Sequence, residues 1–338
     1  MPSPFPHVAP EHRGELRRLD LGSQCLRGNF WQDPARRDVL VYTPPRFDAQ
    51  RAYPALLVLA PFAGTGEGLL AHGLSDVAIT TRFDRMILDG CAPFIAVLPD
   101  VMTSLGGSQF RDSPAIGDYA TYVLREVRAA VAAALPLTGR WGAIGRSSGG
   151  YGALALAMDA PGELHAVASL AGDMGFDLAY LGDISHAVSG VQRAGGLDRF
   201  VEHFWAQARP GQDTFAALNV LAMSCAYSPD MTRAPIPARL PVNMLTGEVD
   251  FDVLQGWRAH DPIERASTEG EGLAKLDMLF FDAGDRDEYN LHLGARRFAA
   301  RLRALGIDHV HEEFSGGHRG TSYRYDAVVP RIIAALER

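Results

Sequence analysis

Five short apolar runs constrain this chain more than any other feature. They are "YPALLVLAPF" (53–62), "APFIAVLPD" (92–100), "RWGAIG" (140–145), "LHAVASLAG" (164–172) and "KLDMLFFDAG" (275–284). None alternates apolar with polar. A strand wetted on one face must alternate, so a continuous run implies a strand covered on both faces. Such strands need helices on either side, and the intervening segments supply them. The stretch 69–88 can form a helix. "GDYATYVLREVRAAVAAAL" (117–135), "SGGYGALALAMDA" (148–160) and "NLHLGARRFAARLRALG" (290–306) carry helical spacing and good helix formers. "YDAVVPRIIAALER" (325–338) closes the series despite Pro330. Strands alternating with helices predict an α/β architecture: a mostly parallel, doubly wound sheet. With "LDLGSQCLRG" (19–28), "RRDVLVYTPP" (36–45) and "DHVHEEFSGG" (308–317), the sheet has about eight strands.

The alternation stops between residues 173 and 268. That segment holds helical and irregular pieces, such as "LDRFVEHFWAQAR" and "TFAALNVLAMSCAY", and no buried strand signal. It reads as a largely helical insertion before the next strand, expected to roof a site as a lid or cap. Residues 1–20 are proline-rich and polar and read as a flexible arm. Residues 21–338 read as one domain. The 338 residues are 47% hydrophobic, enough for one large core, with a net charge of −8. An acidic balance argues against nucleic acid as a partner. No run of about eighteen apolar residues predicts a membrane span. Cys25, Cys91 and Cys225 are three and widely spaced, which fits no disulfide framework. With no apolar leader stretch, the expectation is a cytoplasmic protein.

The stretch "IGRSSGGYGAL" (144–154) carries chemistry. Gly145-Arg146-Ser147-Ser148-Gly149 fits G-x-S-x-G centred on Ser147. A frame centred on Ser148 fails, because Arg146 would have to be the first glycine. In a nucleophile elbow the serine sits on a sharp turn between strand and helix, and the residues two before and two after it press on neighbouring backbone. Only Ser147 has glycine at both. Ser148, opening the helix, would offer its N–H to an oxyanion. A bare glycine–serine turn is the alternative reading. The strand before the motif and the helix after it favour the elbow.

A nucleophilic serine needs a base, and the base an orienting acid. In this fold class their chain order is Ser, then Asp or Glu, then His. "LFFDAGDRDEYN" offers Asp282, Asp285, Asp287 and Glu288. Asp282 still belongs to the strand. Asp285 and Asp287 lie in the loop, and Asp287 is preferred as the further from the strand. Helix capping is the competing role for each. Of the later histidines, His292 falls in a helix. His309 and His311 share a strand face with Glu313 nearby, a grouping better explained by a solvated edge strand than by a metal. His318, in the glycine-rich "SGGHRG", is the best base. The loop "APFAGTGEG" (60–68) follows the third strand and would supply a second oxyanion donor, Phe62 N–H or its rival Ala63. Its glycines do not complete G-x-G-x-x-G, because Leu69 stands where the third is needed. Lys275, the only lysine, precedes a strand, which argues against a Ser–Lys pair. No metal or cofactor is expected.

At this point the chain resembles the esterase D group of α/β-hydrolases, including its enterochelin-esterase-like members. The resemblance spans roughly 21–336. It rests on "VYTPPRFDAQRAYPALLVLAPFAGTG", "FIAVLPDVMTSLGGSQFRDSPAIGDYATYVLREV", "IGRSSGGYGAL", "DAGDRDEYNLHLGA" and "EEFSGGHRG". It implies the α/β-hydrolase fold, with Ser147 as nucleophile, Asp287 as acid, His318 as base, and Phe62 and Ser148 as oxyanion donors. It implies a serine carboxylic-ester hydrolase acting on a small-molecule ester through an acyl-enzyme. Related chemistries are acyl transfer with the same triad and hydrolysis of siderophore, feruloyl or thioester substrates. A peptidase of the prolyl-oligopeptidase kind would need a large N-terminal region that this sequence lacks, and a non-catalytic relative would not need the triad. Two departures stand out: Ser148 replaces the methionine often found after the nucleophile, and 173–268 is longer than in compact members. Ala63, Gln109, Arg146, Trp205 and Trp257 are the candidate substrate contacts. A homodimer through the insertion is a further expectation.

Overall fold

The computed structural model describes residues 8–73 and 76–338. Eight strands form one sheet: β1 (Glu15–Gly22), β2 (Arg36–Thr43), β3 (Tyr53–Leu59), β4 (Ile95–Pro99), β5 (Leu137–Arg146), β6 (Ala166–Leu170), β7 (Met278–Gly284) and β8 (Val310–Phe314). Their order is β1-β2-β4-β3-β5-β6-β7-β8. Only β2 runs against its neighbours; every pair from β4 to β8 is parallel. The fold is thus α/β, with the mostly parallel eight-stranded sheet that the apolar runs predict.

The runs are continuous because both faces are used. On one face Leu56, Val58, Ala96, Leu98, Ile144, Ala168 and Phe280 pack under α1 (Ile79–Leu88) and the C-terminal helix Arg324–Leu336. On the other, Ala55, Leu57, Leu59, Val97, Ala143, Val167 and Phe281 pack under the remaining helices. Each fully buried Val, Leu or Phe contributes about 1.5–3 kcal/mol. The helices on this second face are α2 (119–134, with a π-helical centre Tyr122–Val127), α3 (Ser148–Asp159) and, after the insertion, the long helix Leu291–Leu305.

The segment between β6 and β7 contains α4 (Asp183–Arg193), α5 (Leu197–Ala206), α6 (Gln212–Tyr227), α7 (Phe251–Trp257) and α8 (Pro262–Glu269). Gly190 lets α4 approach α6 closely; a Cβ there would overlap the Asp213 carbonyl. An aromatic cluster, Tyr151, Phe176, Tyr180, Tyr227 and Trp257, joins this segment to α3.

Two expectations need correction. The flexible arm expected over 1–20 does not reach residue 20: Glu15–Asp20 already belong to β1, paired with Asp38–Thr43 of β2. The first strand is therefore "ELRRLDLG" and not "LDLGSQCLRG". As a half-solvated edge strand it shows charges, which hide it among arm residues. The helix expected over 69–88 begins only at Ile79, after a single 3-10 turn at Gly68–Leu70. Residues 1–7 and 74–75 lie outside the described residues.

Candidate active site

The carboxyl ends of parallel strands are where open α/β sheets build sites, and five of them, β3 and β5 to β8, converge here. β5 ends at Arg146 and α3 begins at Ser148, so Ser147 alone makes the turn, with φ +57° and ψ −126°. Such a conformation costs a non-glycine residue about 1–3 kcal/mol. The surroundings hold it there. Ser147 N–H donates to the Leu170 carbonyl (2.9 Å), and Tyr151 N–H donates back to the Ser147 carbonyl (3.0 Å). A Cβ on Gly145 would overlap the Gly149 backbone, and one on Gly149 would overlap the Leu59 carbonyl oxygen. Both flanking glycines are thus required by backbone approach.

β7 and β8 lie side by side in parallel, with Gly284 opposite Phe314. Their following loops emerge together and carry Asp287 and His318. His318 Nε2 lies 3.1 Å from Ser147 Oγ, and His318 Nδ1 lies 2.8 Å from Asp287 Oδ2. Asp287 is buried; its other oxygen accepts the Tyr289 N–H (2.9 Å). Glu288 accepts the His318 backbone N–H (2.6 Å), and this hydrogen bond holds its carboxyl below the usual range. Tyr289 meets the imidazole edge to face, with ring centroids 5.0 Å apart. Asp285, the loop's other acid, accepts Gly316 N–H instead (3.0 Å). Asp282 is buried within β7 and accepts from Arg324 (2.6 Å).

The amides of Phe62 and Ala63 differ. Ala63 N–H donates to the Gly106 carbonyl (2.7 Å), and its side chain is exposed. Among the described residues, the Phe62 and Ser148 N–H groups have no acceptor in the chain. Phe62 stacks edge to face on Phe215 of α6 and lines the cavity over Ser147.

That cavity has a volume of about 1040 Å³. Pro61, Phe62, Arg146, Ser147, Tyr289 and His318 come from the loops of the sheet. The segment after β6 supplies the opposite wall, with Asp173, Tyr180, Asp183, His186, Phe215 and Asn219. The expected substrate contacts fare unevenly. Arg146 lines the cavity and donates to Thr321 Oγ1 (3.3 Å). Ala63 does not line it. Gln109 is fully buried behind it, accepting from the Ser148 hydroxyl and donating to Asp173 Oδ2 (3.3 Å). Trp257 is core, its indole N–H satisfied by Ser228 (2.9 Å). Trp205 lies on the surface and donates to the Ser104 carbonyl (2.8 Å). Neither tryptophan lines the cavity. His309 and His311 stack on Phe281, and Glu313 pairs with Arg296 (2.6 Å).

Sequence reasoning misses Asp173. It follows β6 by three residues, at a carboxyl strand end beside the serine, and that position is the available signal. Its carboxylate lies 3.5 Å from Ser147 Oγ and accepts from Tyr180 OH (3.1 Å). Burial pushes the Asp173 carboxyl up, partly opposed by His318 and by the Gln109 and Tyr180 hydrogen bonds.

Solved structures share this arrangement of elements. A ferulic acid esterase superposes with a TM-score of 0.59 at 16% identity, over 96% of this chain and 99% of its own. A substrate-bound fluorophosphonate-binding serine hydrolase of Staphylococcus aureus gives 0.55 at 15%, over 96% and 99%. An S-formylglutathione hydrolase from Agrobacterium tumefaciens gives 0.55 at 14%, over 98% and 97%. These define the class by fold: that of the α/β-hydrolases. No functionally curated protein has a matching sequence. The family model described as "Putative esterase" matches residues 34–329, and the chain belongs to that family.

Proposed function

We propose that this chain is a serine carboxylic-ester hydrolase using Ser147, His318 and Asp287 as a triad. The observation that supports this most is His318, with one ring nitrogen at the Ser147 hydroxyl and the other at the buried Asp287 carboxylate. In this reading His318 Nε2 takes the hydroxyl proton as Ser147 Oγ attacks the ester carbonyl. Asp287 holds the Nδ1–H tautomer and stabilises the imidazolium. The Phe62 and Ser148 N–H groups receive the oxyanion, each worth about 3 kcal/mol in the transition state. The alcohol leaves with the proton from His318. Water, deprotonated by the same imidazole, then releases the acid.

The cavity suits a small-molecule ester, and the names of the structural neighbours suggest aromatic esters and thioesters as the first panel. The test is direct. The protein should hydrolyse p-nitrophenyl acetate and be labelled covalently by a fluorophosphonate. Ser147→Ala should lose labelling and lower kcat by about 10⁴-fold or more. Retained turnover in that variant overturns the assignment.

A further inference from the structure

The cavity holds one carboxylate that the proposed hydrolysis does not use. Asp173 is more than nine-tenths buried, yet lines the wall beside the nucleophile. Its Oδ2 is occupied by Tyr180 OH (3.1 Å) and the Gln109 amide (3.3 Å). Its Oδ1 has only the distant Ser147 Oγ at 3.5 Å. Among the described residues no arginine or lysine pairs with it. Of the two arginines lining the cavity, Arg146 reaches Thr321 and Arg319 is exposed. Burial pushes the Asp173 carboxyl toward its neutral form, with His318 acting the other way; a cation bound at Oδ1 would favour the charged form. A hydroxyl would satisfy the same oxygen but leave the charge uncompensated. Further along the same wall lies a second partly buried acid, Asp183, held by Asn219 (2.8 Å), which adds to the negative potential.

The distances allow an ammonium on the acyl part to reach Oδ1. An ester carbonyl carbon poised for attack stands about 3–3.5 Å from the nucleophilic oxygen. An amine on the adjacent carbon stands about 2.5 Å from that carbonyl carbon by covalent geometry. A charge-assisted hydrogen bond spans about 2.8 Å. With Oδ1 and Oγ 3.5 Å apart, these four lengths close into one quadrilateral. We propose that Asp173 is a specificity residue that binds the α-ammonium group of the acyl part, so that the preferred substrates are α-amino acid esters. This rests on the esterase reading above. It adds no step: water and ester still give acid and alcohol, and the acid released is an amino acid.

The test compares glycine methyl ester with methyl propionate, in which an ammonium is replaced by a methyl of nearly the same size. The kcat/KM ratio is divided by the ratio of their hydroxide-catalysed rates, which removes the intrinsic activation by the ammonium. The corrected ratio is expected to be at least tenfold in favour of glycine, falling to about one in Asp173→Asn. A corrected ratio near one in the unaltered protein, or an unchanged ratio in the variant, overturns the inference. Fluorophosphonate labelling reports whether the variant has an assembled site. If it is not labelled, Tyr180→Phe, which removes one donor from the carboxylate, decides: the ratio should change at least threefold, and an unchanged ratio overturns the inference. Should neither ester be hydrolysed and the unaltered protein resist labelling, the esterase reading itself fails. Hydrolysis of both esters without preference sinks only the role of Asp173.

Discussion

Ser147 keeps a backbone conformation that its own side chain disfavours, and the cost is met by fitting its neighbours around it. Gly149 is the sharpest part of that fit, because the atom it must avoid is the Leu59 carbonyl of β3, which cannot swing aside. Gly149→Ala is expected to destabilise the protein by about 1–3 kcal/mol. A lower urea midpoint at unchanged slope, with loss of fluorophosphonate labelling, would show it. These glycines are legible in the sequence because steric exclusion leaves a mark at fixed offsets. Asp173 is not, nor is its pairing with Gln109. Their contact joins residues 64 apart through the order of the sheet, and nothing local announces it. Ala63 and Phe62 are adjacent, and only the Gly106 carbonyl decides which amide remains free.

At the scale of elements, two loops matter most. Those after β7 and β8 leave a parallel pair in register and are tied by Glu288, whose carboxylate grips the backbone of His318. Glu288 touches neither the serine nor the imidazole nitrogens, so under the proposed mechanism it would act by positioning. Glu288→Ala should lower kcat about tenfold, the worth of one charge-assisted hydrogen bond, while leaving KM within about twofold. Steady-state kinetics on p-nitrophenyl acetate would separate the two; a change confined to KM would refute a positioning role. The order Ser, Asp, His along the chain makes this region recognisable from the amino acids alone. Trp205 and Trp257 show the opposite case. A helix pattern reveals that a side chain is turned inward or outward, never which neighbour receives it, and both tryptophans belong to surfaces other than the cavity wall.

Across the whole molecule, the segment between β6 and β7 is welded to α3 by aromatic packing, and His260 is part of that weld. Its ring stacks on Tyr227 with centroids 4.9 Å apart. Burial, with Arg111 and Arg265 close by, pushes the imidazole down to about 4. Tyr227 and Asp159 act in the opposite direction without restoring it. The unfolded chain binds this proton near pH 6.5 and the folded chain does not. The histidine's contribution to stability is therefore present above pH 6.5 and is lost as pH falls toward 4. Between pH 7 and pH 5 the unaltered protein should lose more in Tm than His260→Gln does; equal losses would show that another group governs acid stability. The architecture at this scale is the most legible level, because a sheet covered on both faces writes itself as uninterrupted apolar runs. The first strand escapes because an edge strand is free to carry charge.

The separation of the parts along the chain has one more result. The proposed nucleophile and the proposed base are 171 residues apart, with all of the β6–β7 segment between them. A ribosome thus completes the elbow long before it adds Asp287 and His318. Through that interval the serine would lack its proposed base. Under the proposed mechanism, reactivity would arrive only after the last strand of the sheet, so the same event that closes the fold would arm the serine.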